Sequence, residues 1–121
     1  MEGTAHIVKL KCFRMERKNN TDRYGNEFSE SIKRQVWEKA RIVPGVDPKR
    51  RRLDICGAWI EWNQYGVTKE YRTGWEIDHI KPIAKGGTDD VSNLQPLQWQ
   101  NNRKKADRFP AFNYQAVTIE L

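Results

Sequence analysis

Apolar residues are sparse in this chain and come in short runs, each with its own period. Residues 6–13, HIVKLKCF, alternate apolar and polar, which predicts a short strand. Residues 14–28 are polar and rich in turn formers, and read as a loop or mobile arm able to touch phosphates. From Ser29 to Arg41 the period changes. Ile32, Val36, Trp37 and Ala40 recur three to five positions apart, which predicts an amphipathic helix. Ser29 is placed to cap it and Glu30 suits its positive end, while Pro44 and Gly45 stop it. Asp47 to Asp54 is polar and predicts a loop. Ile55 to Trp62 is rich in β-branched and aromatic residues, and Asn63 to Gly66 has turn chemistry, so Val67 to Tyr71 is expected to return as the second strand of a hairpin.

The last third of the chain holds the most informative pattern, from Trp75 to Asp107. Trp75 to Ile80 predicts a strand with Trp75, Ile77 and His79 on one face and Glu76, Asp78 and Ile80 on the other. A loop from Ala84 to Ser92 carries Gly86-Gly87 and the acids Asp89 and Asp90. Asn93 to Leu97 predicts the returning strand, an edge strand because of Pro96. Gln98 to Ala106 predicts a helix on which Trp99, Asn102 and Ala106 share a face, aiming Asn102 at the hairpin. Because a regular strand sends Asp78 and His79 to opposite faces, the strand is expected to end or kink there. Beyond it, Phe109, Phe112 and Tyr114 are expected to pack as a tail over the core. Val117 to Leu121 is a candidate last strand beside residues 6–13, with Glu120 near Lys9 or Lys11.

The 121-residue length fits a single small α+β domain, and a hydrophobic fraction of 37% limits its core. Five tryptophans must supply much of that core. The net charge of +6 is unevenly spread: residues 1–52 carry +7 and residues 53–121 carry −1. A basic half of this kind suits a polyanion, and nucleic acid is the commonest one. Two candidate phosphate-binding clusters stand out, Lys49-Arg50-Arg51-Arg52 and Arg103-Lys104-Lys105. Only two cysteines, Cys12 and Cys56, are present, so no disulfide framework is indicated. No apolar run is long enough for a membrane span and no secretory leader is legible, so a soluble, cytoplasmic protein is expected.

Asp78 and His79 offer a hard metal ligand and a proton acceptor side by side, which is what metal-assisted hydrolysis requires. Asn102 offers a neutral amide oxygen as a second hard ligand. In order and spacing, Asp78-His79, Gly86-Gly87, Asn93-Leu94, Asn102 and Arg103-Lys104 resemble the motif of the HNH endonucleases. The resemblance implies a ββα-metal core over 75–107, within a nuclease domain covering 29–121 that adds an N-terminal helix and a β-hairpin. Residues 1–28 would form a strand and basic arm. It implies one divalent metal, Mg²⁺ or Mn²⁺, on Asp78 and Asn102, with His79 as general base and Asn93 holding the His-bearing loop. It also implies DNA as substrate, with 5′-phosphate and 3′-hydroxyl products. RNA stays open as a substrate. So do an inactive DNA-binding module, a nuclease toxin, and a monomer or homodimer.

Many members of that family carry two Cys-x-x-Cys pairs on a structural Zn²⁺. Here the matching places are Cys56 with Trp59 and Gln98 with Asn101, so no structural Zn²⁺ is expected. Trp59, Trp62 and Trp99 are expected to pack where that metal would have been.

Overall fold

The computed structural model describes residues 17–70, 72–110 and 117. Within them two short helices and two two-stranded antiparallel sheets follow one another as α1 (Glu30–Trp37), β1 (Arg51–Leu53), β2 (Trp59–Glu61), β3 (Trp75–His79), β4 (Leu94–Gln98) and α2 (Trp99–Lys105). This is the small α+β domain that the patterning implies. The expected strand at 6–13, Phe112, Tyr114, and the pairing of Val117 to Leu121 with the N-terminus lie outside the described residues.

Helix α1 starts where expected. Ser29 Oγ accepts the backbone N–H of Ile32 at 3.2 Å, satisfying one of the free donors of the first turn. It ends earlier than Arg41. Arg41 instead exchanges two backbone hydrogen bonds with Leu53, at 2.8 and 3.0 Å, and so joins the outer edge of β1. The helix buries Val36 and Trp37, with Ala40 just beyond it and Ile32 partly covered, as its period implied.

The hairpin expected from Ile55 to Tyr71 is built differently. β2 pairs with the preceding residues 51–53, in the register Arg51↔Glu61, Arg52↔Ile60 and Leu53↔Trp59. No strand forms among the described residues 67–70. The cause is Asp54, whose Oδ1 accepts the N–H groups of Cys56 and Ala58, both at 2.9 Å, and so closes the turn one strand earlier.

β3 and β4 pair over five residues, from Trp75↔Gln98 to His79↔Leu94. Pro96 faces Ile77 in this register, and the Ile77 N–H points outward to Asn20 Oδ1 at 2.7 Å. The Ile77–Pro96 pair is therefore a non-hydrogen-bonded one, and the N–H that proline lacks is not required. The outer edges of this sheet are occupied. Asn20 takes the N–H of Ile77, the Gly66 N–H binds Trp75 O at 2.9 Å, and Asp54 Oδ2 takes the N–H of Gln98 at 2.9 Å.

The core lies between α1 and the outer face of the β3–β4 hairpin. Trp75 is fully buried against Trp37 and Tyr65, at ring-centroid distances of 5.2 and 4.9 Å, with Val36, Ile60, Ile77 and Leu94 around them. Trp62 closes this cluster from the side. Trp59 and Trp99 stand apart from it, half-buried under the guanidinium groups of Arg51 and Arg103. Around Cys56, Gln98 and Asn101 the tie between the β1–β2 turn and α2 is polar. The buried Asp54 carboxylate joins the β1–β2 turn to the start of α2 through the Gln98 N–H and, at 3.0 Å, Asn101 Nδ2. Burial raises the Asp54 carboxyl above its ordinary value, while hydrogen bonds from Asn101, Ala58, Gln98 and Cys56 pull it back. Phe109 does not pack as expected: it is 41% exposed.

Candidate active site

The β3–β4 hairpin and α2 form a ββα element. β3 is buried along its whole length, with the polar residues Glu76, Asp78 and His79 among its five. Placing carboxylates on a buried strand is costly unless each is paired. Glu76 and Asp78, two residues apart, both face α2, and that helix supplies their partners.

Glu76 Oε1 accepts from Asn102 Nδ2 at 2.8 Å, and Oε2 accepts from the Arg103 guanidinium at 2.9 Å. Asp78 Oδ2 accepts from Gln95 Nε2 at 2.9 Å and lies 3.1 Å from the Lys105 ammonium. Lys105 is itself 1% exposed and also donates to the His79 carbonyl at 3.0 Å. Burial pushes the Asp78 carboxyl above its ordinary value, while the Lys105 charge and the Gln95 amide act against that shift.

His79 is buried at the end of β3, with its ring 5.9 Å from that of Phe28 and its Nε2 2.7 Å from Asp89 Oδ1. The strand stays regular through His79. No kink is needed because the site lies against the outer edge of β3, where both faces are reached. There a cavity of about 60 Å³ is lined by Asp78, His79 and Asn102, with Arg17, Asn19 and Asn20 of the N-terminal arm closing its other side. The arm touches the site directly through the Asn20–Ile77 bond.

The loop after His79 is held by Asn93. Its Oδ1 accepts the N–H of Lys81 at 2.9 Å, and its Nδ2 donates to the carbonyls of Lys81 and Thr88 at 3.0 and 2.8 Å. The Gly-Gly pair makes this compact path feasible. Gly86 has a φ of +91°, and a Cβ on Gly87 would lie 1.7 Å from the Lys81 carbonyl oxygen.

The structure thus brings Asp78, His79 and Asn102 to one cavity and sets Asn93 behind the loop. It divides the basic candidates. Lys49, Arg50, Arg103 and Lys104 are exposed. Lys49 and Arg50 border a second cavity of about 150 Å³ with Glu61, Trp62 and Asn63. Three others have partners within the protein. Lys105 is buried on Asp78. Arg51 lies over the Trp59 ring, 3.5 Å from Glu61. Arg52 donates to the carbonyls of Pro48, Glu38 and Ala40 at 2.8, 3.1 and 3.3 Å, neutralising the C-terminal end of α1.

Sequence reasoning missed Glu76, Gln95, Asp89 and the arm residues. Glu76 had a legible signal: a charge two positions before Asp78 on the same strand face. Asp89 and the arm had none, because only the folded loop brings them to the site.

In described residues no group of three or more His, Cys, Asp or Glu is arranged to hold a metal by itself. The donor set fits a hard divalent ion in a different way, as one carboxylate and one amide oxygen. Because the Glu76 carboxylate can only accept, it binds the Asn102 NH₂ and leaves the Asn102 oxygen for the cavity side.

A paired hairpin and crossing helix with a polar cavity at the strand edge make this a ββα domain. Residues 55–108 match the family model for HNH endonuclease. This supports a nuclease-type function in general terms. No curated protein and no solved structure matches the chain significantly. Among described residues no helix is long and apolar enough to cross a membrane.

Proposed function

We propose that the protein is a metal-dependent endonuclease that hydrolyses phosphodiester bonds in DNA, leaving 5′-phosphate and 3′-hydroxyl ends. The observation that carries the reading is that Asp78, His79 and Asn102 line one cavity, with the Asn102 amide turned oxygen-inward by Glu76. The nuclease domain takes in residues 29–121, and arm residues 17–28 complete its site.

Asp78 and Asn102 would hold the divalent ion, Mg²⁺ or Mn²⁺. When bound, that ion supplies charge to polarise the phosphate and stabilise the leaving oxygen. His79 accepts the proton of the attacking water. Asn93 keeps the His79 loop in place through Lys81 and Thr88. Arg103, Lys104, Lys49 and Arg50 contact the nucleic-acid backbone by charge, which positions DNA without reading its sequence.

One observation favours a second reading. Lys105 lies 3.1 Å from Asp78 Oδ2 and pairs with its charge, as it would in a DNA-binding module that keeps the fold without catalysis. A single assay separates the two. Supercoiled plasmid is incubated with the purified protein and Mg²⁺, Mn²⁺ or EDTA, beside His79→Ala. The nuclease reading expects metal-dependent nicking that the variant loses. Retention of DNA in a gel shift with no cleavage under any metal would replace it with the binding module.

A further inference from the structure

His79 depends on a second carboxylate from the loop. Asp89 Oδ1 stands 2.7 Å from His79 Nε2, and the imidazole side chain is 4% exposed. A carboxylate can only accept, so the contact requires the proton on Nε2 and leaves the lone pair of the neutral ring on Nδ1. Asp89 is itself held. The backbone N–H of Arg23 donates to both its oxygens at 3.2 Å, and Asn93 fixes the loop leading into it through Lys81 and Thr88. The next residue, Asp90, turns elsewhere, since its Oδ2 accepts from Thr88 Oγ1 at 3.1 Å. The two acids of the loop are therefore not equivalent.

We propose that Asp89 is a positioning residue that fixes the ring orientation and tautomer of His79, so that Nδ1 is the nitrogen presented for proton transfer. This rests on His79 being the base in the proposed function. It also gives the arm a part in the site. Arg23 lies outside the matched span 55–108, yet it shares the Asp89 carboxylate with the imidazole. As a stabilising ion pair the contact is worth little, because Asp89 is 30% exposed. Its effect is on geometry: the ring is aimed by one short bond on one side and the Phe28 ring on another.

The test is side-chain ¹⁵N NMR of the metal-free protein at a pH where imidazole is neutral. The chain has two histidines, so His6→Gln assigns the spectrum. In the wild type His79 should show a protonated-type Nε2 and an unprotonated-type Nδ1, as a single tautomer. Asp89→Ala should move both nitrogens towards averaged values, and Asp90→Asn should leave them in place. Asp89→Asn, whose amide oxygen can still accept from Nε2–H, should restore most of the wild-type pattern, and it carries the test if the alanine variant does not fold. In cleavage assays Asp89→Ala should lower kcat about 10- to 100-fold with KM little changed. Unchanged His79 nitrogen shifts in Asp89→Ala would overturn the proposal. So would a spectrum in which Nδ1 carries the proton in the wild type. The NMR arm needs no turnover, so a plasmid assay without cleavage refutes the nuclease reading and leaves the Asp89 assignment to be judged by the spectra.

Discussion

Replacing Glu76 by Gln changes one atom and should disorganise the proposed metal ligand. Glu76 is 3% exposed and its two oxygens serve two donors, Asn102 Nδ2 at 2.8 Å and Arg103 at 2.9 Å. A Gln in the same place offers one acceptor and one donor. With its oxygen towards Asn102, its NH₂ meets the guanidinium. With its oxygen towards Arg103, its NH₂ meets the Asn102 NH₂, and that amide must turn over. Turning over puts two N–H donors on the cavity side, where a cation needs an oxygen. Loss of a supporting partner of a metal ligand weakens metal binding about 10- to 100-fold, or about 1.4–2.8 kcal/mol. The folding cost should be smaller than the loss of a fully buried charged bond, because the Arg103 side chain is 39% exposed. The measurement is Mn²⁺ titration of the metal-free protein by calorimetry, for wild type and Glu76→Gln, with urea unfolding followed by tryptophan fluorescence as the folding control. Equal Mn²⁺ affinity in two well-folded proteins would refute the argument that Glu76 orients Asn102.

Further outcomes follow from the same contacts. Asp54→Ala removes the acceptor of four N–H donors at once, those of Cys56, Ala58, Gln98 and Asn101, and should cost about 3–5 kcal/mol in urea unfolding. Because burial raises the Asp54 carboxyl in the folded state, the folded chain keeps a proton that the unfolded chain has already released. The Asp54 contribution to stability should therefore fall as pH rises from the ordinary carboxylate range to the raised folded value, then level off, and Asp54→Asn should lack this component. Asn93→Ala frees Lys81 and Thr88, so amides of the 81–92 loop should lose hydrogen-exchange protection while kcat falls more than KM changes. Lys105→Met leaves the buried Asp78 carboxylate without its cation. It should lower metal-free stability by about 3–5 kcal/mol, and Mn²⁺ should recover part of that loss in thermal melts.

The sequence by itself determined the ββα element. Its strand period, Gly-Gly loop and helical face bound Trp75 to Lys105 to one arrangement, because local periodicity decides which side chains share a face. Asp78, His79, Asn93 and Asn102 all fall within the span 55–108 that the HNH family model matches. Only the tertiary structure decided what those residues touch. The choice of strand partner for β2 depended on whether Asp54 or the Asn63–Gly66 segment closes the turn, and the deciding term, a buried carboxylate collecting donors from two distant segments, has no local signature. Lys105 looked like its solvent-facing neighbours Arg103 and Lys104, yet helical geometry turns it inward, where Asp78 needs a cation. Asp89 and Arg23 meet at the edge of His79 from positions 66 residues apart. Periodicity reports the face on which a side chain stands, whereas charge pairing in a buried site is settled by what packs against that face.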